Sequence, residues 1–276
     1  MTAGPGAGAR PPHRRRVPAQ LVLGPFAALG LVFLVLPLLA LVVRAPWRRL
    51  PDLLAEPPVV QALRLSLVCA GSATVVSLLL GIPLAWLLAR VAFPGRRLVR
   101  ALVTLPLVLP PVVGGAALLG ALGRRGLLGD ELSALGLSVP FTTVGVVVAE
   151  AFVAMPFLVV TVEGALAGAD RRYDEVAATL GAGGWTTFRR VTLPLVAPSV
   201  AAGTVLCFAR ALGEFGATIT FAGNLPGTTQ TLPLAVYQAL ETDPDAAVAL
   251  ALVLLTVSLA LLVALRDRWL RSDTRL

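Results

Sequence analysis

Six apolar stretches, near residues 21–43, 66–89, 101–122, 141–162, 196–216 and 246–265, dominate this 276-residue chain. Each is long enough to cross the hydrocarbon core of a bilayer as a helix, which takes roughly 20 residues. With 57% hydrophobic residues and a mean hydropathy of +0.86, the chain is too apolar to cover itself with the polar surface of a soluble globule. The expected fold class is therefore all-α, a polytopic membrane protein of about six transmembrane helices in one compact domain. The first stretch follows "RPPHRRR", but it is longer than the apolar region of a signal peptide and no small-residue cleavage site follows it, so it reads as a retained first helix.

Charge sets the orientation. The formal charge is +8 and every basic residue is arginine. Arg10 and Arg14 to Arg16 precede the first stretch; Arg90, Arg96, Arg97 and Arg100 lie between the second and third. Arg171, Arg172, Arg189 and Arg190 lie between the fourth and fifth, and Arg266, Arg268, Arg271 and Arg275 follow the sixth. These segments alternate sides. Positive loops resist translocation, so they are expected in the cytoplasm, with both termini, in a multi-pass protein of the cell membrane. Orientation accounts for the charge, and no nucleic-acid partner is expected. The expected layout is a disordered arginine-rich cytoplasmic tail at 1–20, a membrane domain at 21–266 with a cytoplasmic segment at 163–195, and a cytoplasmic tail at 267–276. Cys69 and Cys207 fall in apolar stretches and His13 is the single histidine, so neither a metal cluster nor a Ser-His-Asp set is expected.

Two features inside the stretches bear on function. The third contains "LPLVLPPVVGG", and proline removes a backbone donor and clashes with the preceding turn, so this helix should kink or unwind near Pro110 and Pro111. The freed backbone then needs protein or cavity water. It either borders a translocation pathway or forms a packed structural kink. In the fifth, Arg210 and Glu214 stand four residues apart on one helix face. They either lend charge to a pathway or neutralise one another. Glu150 and Glu163 are read as bracketing the fourth span, with Glu163 at the interface. Segment 44–65, with four prolines, is expected to be a connection containing a short helix.

The cytoplasmic stretch "EVAATLGAGGWTTFRRVTLP", Glu175 to Pro194, is longer than a turn requires. Asp170 or Asp174 is a candidate cap for a helix through "EVAATL", the glycines at 181, 183 and 184 should stop it, and "WTTFRRV" should begin a second helix. Two short helices meeting at glycines fit a groove on another protein, or else pack on the chain's own membrane domain. A nucleotide-driven pump needs a phosphate-cradling loop with a lysine that reaches the outer phosphates. This chain has no lysine, so any ATP must be held by a separate subunit.

The stretch resembles the "EAA" loop of ABC-importer permeases: Glu175, Val176 and Ala177 stand at its first three positions, Gly181 at its glycine, and Val191, Leu193 and Pro194 at its end. Leu105 to Gly129 and Phe208 to Tyr237, with "GEFGAT" and "GNLPGTTQTLP", are similar to molybdate permease subunits within the molybdate and sulfate group. This resemblance implies a type I ABC importer: a homodimer of permeases, two ABC ATPase subunits, and an extracytoplasmic molybdate-binding protein. It implies a transporter subunit rather than an enzyme, with no cofactor on this chain and with ATP and Mg on the ATPase. It assigns ATPase docking to Glu175, Ala177, Gly181, Trp185, Arg189, Arg190 and Pro194, and the translocation pathway to Pro110, Pro111, Arg210, Glu214 and Thr218. The competing readings are a sulfate, thiosulfate or tungstate permease of the same architecture, and a stand-alone secondary anion carrier.

Overall fold

Prolines and glycines set the helix breaks in this chain, whose described secondary structure is entirely helical. The computed structural model describes residues 19–272, with side chains described for 23–260. Of the expected tails at 1–20 and 267–276, residues 1–18 and 273–276 lie outside the described residues; helix begins at Ala19 and runs to Ser272, past the expected boundary at 266. The chain divides into two units, Met1–Arg44 and Ala45–Leu276. The first contains α1 (Ala19–Val43), apolar around its whole circumference as a membrane span is. The second contains α2 (Leu50–Ala55), α3 (Pro57–Arg90), α4 (Arg96–Val108), α5 (Pro111–Leu122), α6 (Gly129–Ala134) and α7 (Thr143–Gly168). It continues with α8 (Arg172–Thr179), α9 (Gly184–Thr187), a π turn (Phe188–Thr192), α10 (Leu193–Leu212), α11 (Gly216–Phe221), α12 (Leu232–Thr242) and α13 (Pro244–Ser272).

Helix α7 is the centre of the second unit, packed against both α3 and α10. Small residues make that possible: Ala70, Ala73 and Ala85 of α3, Ala151 and Ala154 of α7, and Cys207 and Ala211 of α10 share one buried cluster with Leu158, Val159 and Val162. Lipid tails are as apolar as leucine, so helices in a membrane associate by close backbone approach and dispersion rather than by escape from water. Gly203 illustrates the closeness, because a Cβ there would lie 3.0 Å from Leu158 Cδ1 and 3.3 Å from Leu158 Cα.

Among the described residues, four helices are long and apolar enough to cross a membrane: Leu23–Val43, Pro57–Arg90, Thr143–Gly168 and Gly184–Leu212. The third expected span is split into α4 and α5, and the sixth lies in α13, which is 29 residues long. Two expected boundaries are corrected. Helix α3 starts at Pro57 rather than near 66, because Pro57 and Pro58 occupy its first positions, where the missing N–H has no intrahelical partner to lose. The helical rod that carries the fifth stretch begins at Gly184, ahead of the start expected near 196: α9, the π turn and α10 are continuous, and Pro194 sits within the rod instead of ahead of it. The expected break in the third stretch is present, with Leu109 and Pro110 extended between α4 and α5.

Candidate functional site

The segment from Asp170 to Pro194 is shaped by its own backbone. Asp170 Oδ1 accepts a hydrogen bond from the Arg172 N–H at 2.9 Å, and Asp174 and Glu175 stand in the first turn of α8, where the helix dipole favours negative charge. At the other end Gly181 takes φ +84°. Its N–H reaches the Ala178 carbonyl and the Ala182 N–H reaches the Ala177 carbonyl, each at 3.0 Å. This paired closure satisfies carbonyls that a helix end would otherwise leave open, and it needs a left-handed residue at the turn. Asp174, a candidate cap from the sequence, is used otherwise: Thr192 Oγ1 donates to its Oδ1 at 2.9 Å, and Arg90 Nη2 of α3 lies 3.6 Å from its Oδ2.

Glu175, Gly181, Arg189, Arg190 and Pro194 are all exposed, and Trp185 is 72% exposed. The Trp185 ring stacks on Phe188 with centroids 5.7 Å apart, and Phe188 meets Trp86 of α3 edge-on at 6.3 Å. An indole held out by stacking is the kind of rigid aromatic that anchors protein interfaces. Ala177 differs from the other docking candidates, since only 8% of it is exposed. Nearby, Glu163 accepts from Arg100 Nε at 2.8 Å and also pairs with Arg100 Nη2, tying α4 to α7.

The pathway candidates gather where two broken helices meet. Helix α5 starts after the break at Leu109–Pro110, and α11 starts after Gly213–Phe215 interrupts α10. The two short helices approach so closely that a Cβ on Gly115 would fall 2.6 Å from Thr220 Cβ and 2.8 Å from the Ala217 carbonyl. A Cβ on Gly216 would fall 2.8 Å from Pro111 Cβ. Glu214, 1% exposed, accepts at Oε1 from the Ala217 N–H at 2.9 Å, which caps α11. Its Oε2 lies 2.5 Å from Arg210 Nη1, so the arginine is engaged rather than free. Thr218 is fully buried, and its hydroxyl has no partner among the described residues. Pro110 and Pro111 are exposed.

Glu150 belongs to this region and was misread as a bracket of the fourth span. It is 1% exposed, well inside α7; its Oε2 has no hydrogen-bond partner among the described residues, and the adjacent Ala149 and Val153 share a buried cluster with Ala217 and Phe221 of α11. The available signal was an acid flanked by "GVVVA" and "AFVAM", since an ionisable group at membrane depth is costly and so tends to mark a pathway or a partner.

This helical bundle with an exposed segment at its arginine-rich end defines a class that the comparisons identify. Residues 77–272 match the family described as "Binding-protein-dependent transport system inner membrane component", and the chain belongs to that family. Within it, the chain is 50% identical over 250 residues to the "Molybdenum transport system permease protein ModB" of Mycobacterium bovis, covering 90% of this chain and 95% of that one. It is 38% identical over 267 residues to the "Sulfate transport system permease protein CysT" of Escherichia coli, covering 95% and 96%. In fold it resembles a chain of a bacterial ABC transporter involved in import of the acidic polysaccharide alginate, with a TM-score of 0.73 and 22% identity over 92% of this chain and 95% of that one.

Proposed function

We propose that the chain is the membrane-spanning permease subunit of an ATP-driven importer for molybdate. It would work as a homodimer with two ATPase subunits and an extracytoplasmic molybdate-binding protein. The observation that carries the substrate is the higher identity to the molybdenum permease, 50% against 38% for the sulfate permease. Sulfate or thiosulfate is the second reading, favoured by that same 38% relative, and tungstate shares the size and charge of molybdate.

In this reading the arginine-rich loops and both termini face the cytoplasm, and the exposed face formed by Glu175, Gly181, Trp185, Arg189, Arg190 and Pro194 seats in a groove of the ATPase. Ala177 supports that face from inside. ATP and Mg reside on the ATPase and no cofactor on this chain. Closure of the ATPase pair moves the coupling segment and, through the continuous rod from Gly184 to Leu212, moves the break at Gly213–Phe215. Pro110, Pro111, Arg210, Glu214 and Thr218 then border the pathway. A buried hydroxyl and an already neutralised arginine make a weakly polar lining, which suits an anion that must bind loosely enough to leave.

The test is molybdenum accumulation, measured by elemental analysis, in cells lacking this chain, with and without its restoration. Uptake restored at trace molybdate, suppressed by excess tungstate and not by sulfate, is the expected result. Loss of sulfate uptake with no molybdenum phenotype would overturn the substrate and keep the architecture.

A further inference from the structure

Among the described residues, one side chain of the coupling segment makes two polar contacts that tie α8 to its neighbours. Asp174 of α8 accepts from Thr192 Oγ1 at 2.9 Å and stands 3.6 Å from Arg90 Nη2. Thr192, which is buried, closes the π turn and leads straight into α10. Arg90 is the last residue of α3, with its side chain only 9% exposed. Among the described residues, Arg90–Asp174 is the ion pair that joins α8 to α3. Beside these contacts lies an open cleft of about 400 Å³ bordered by Trp86, Arg90, Asp174, Phe188 and Thr192, so the segment meets α3 across a gap bridged by the Arg90–Asp174 pair and by the edge-on contact of Phe188 with Trp86.

That arrangement has a mechanical consequence. A segment packed directly on α3 would transmit a push through many contacts, whereas one seated over a cavity transmits it through whatever spans the gap. Here the polar group that spans it is a carboxylate in contact with the guanidinium that ends α3 and the hydroxyl that begins α10, next to the apolar contact of Phe188 with Trp86. The π turn beside it adds a second element suited to movement, because π turns carry a backbone register that differs by one residue from the flanking helix and cluster at functional sites. We propose that Asp174 is the joint of the coupling segment: a positioning residue that passes displacement of α8 to α3 and α10 together, so that both helices respond to one event on the ATPase.

This rests on the docking role given above, and the test separates the two. The assembled importer, reconstituted in vesicles with its ATPase and its binding protein, is assayed for anion uptake per ATP hydrolysed. Asp174→Asn is expected to leave the ATPase co-purifying and hydrolysing ATP while uptake per ATP falls by about tenfold. Asp174→Glu should restore most of the ratio and Thr192→Val should lower it less, since it removes one of the two contacts. Unchanged uptake per ATP in Asp174→Asn would overturn the joint, as would loss of the ATPase from the complex, which would instead make Asp174 part of the docking face. Hydrogen exchange on the permease alone supplies the independent reading: Asp174→Asn should raise exchange across 172–192 and at the end of α3. Failure of the wild-type chain to bind any ATPase would sink the docking role, while raised exchange in Asp174→Asn would still show that Asp174 ties α8 to α3; unaltered exchange would sink the joint.

Discussion

The exposed segment at 170–194 and the buried node where α5 meets α11 both depend on glycine, for opposite reasons. In the segment, Gly181, Gly183 and Gly184 have nothing within 4 Å of where a Cβ would stand, and Gly181 matters because its φ is +84°. In the node, Gly115 and Gly216 have ordinary backbone angles but no room, with Cβ contacts of 2.6 to 2.8 Å. One region spends glycine on backbone shape and keeps its surface open for something else; the other spends it on backbone proximity and keeps nothing open. Polar groups follow the same division. Apart from Asp174, which turns in to Arg90 and Thr192, the charged residues of the segment are exposed, while the node buries Glu150, Glu214 and Thr218.

The sharpest way to break this contrast is at Glu214. Glu214→Leu removes the cap from the Ala217 N–H and leaves Arg210 without its partner, and breaking a buried pair from one side costs on the order of 3 kcal/mol. The thermal unfolding midpoint in detergent should fall accordingly and uptake should be lost. A variant that unfolds like wild type would mean that the node is wetter and looser than its burial implies.

Glycine substitution gives the next largest effect and compares the regions directly. Gly115→Ala forces a methyl into the Ala217 carbonyl and Thr220, an overpacking cost of about 1–3 kcal/mol. Gly183→Ala enters open space and should change stability by less than about 0.5 kcal/mol. Gly181→Ala falls between them, at about 1 kcal/mol, since only its left-handed backbone is penalised. Equal effects at 115 and 183 in unfolding measurements would erase the distinction drawn above.

How far the sequence reaches differs between the regions for a related reason. The segment is written in short-range signals: a left-handed glycine six residues after Glu175, a proline at 194, exposed arginines between. Those set local backbone geometry directly, and the helix end at Gly181 follows the expectation closely. The break at Pro110 is legible for the same local reason. The node's closeness is not local, because nothing near Gly115 in the chain says that Ala217 lies against it. Glu150 escaped because burial is a property of the packed helices. Helix α3 starts earlier than its apolar stretch because Pro57 and Pro58 stand at its first positions, where proline breaks nothing. The π turn has no recognised sequence signal, and it is what lets the polar stretch run on into the fifth span.

A smaller stability effect with a larger functional one is expected at Trp185. Exposed as it is, Trp185→Ala should leave unfolding within about 0.5 kcal/mol of wild type, yet lower ATPase affinity by at least about tenfold, as removal of an aromatic anchor does. Loss of stability without loss of binding would place the ring in the chain's own packing and reverse the assignment of the two surfaces.

The smallest effect belongs to a third place, the turn between α12 and α13, which shows what exposed charge contributes where no docking is invoked. Asp243 Oδ1 accepts from the N–H groups of Asp245 at 3.0 Å and Ala246 at 3.2 Å, and Arg49 reaches Asp243 and Asp245 at 3.4 and 2.9 Å. The Ala246 N–H, and with it the Arg49 guanidinium, holds the Asp243 carboxyl below its ordinary value of 3.8. A carboxyl depressed in the folded state stabilises it above the unfolded value, and that contribution fades as pH falls through the folded one. The gap in unfolding midpoint between wild type and Asp243→Asn should therefore be small and constant through neutral pH and should close in acid below 3.8. A gap that instead widened in acid would require the carboxyl to be raised, which the hydrogen-bond donors around it forbid. Because the clasp is exposed on both sides, salt should shrink the Arg49 share of the gap and leave the helix-capping share, separating the ion pair from the cap within one set of melts.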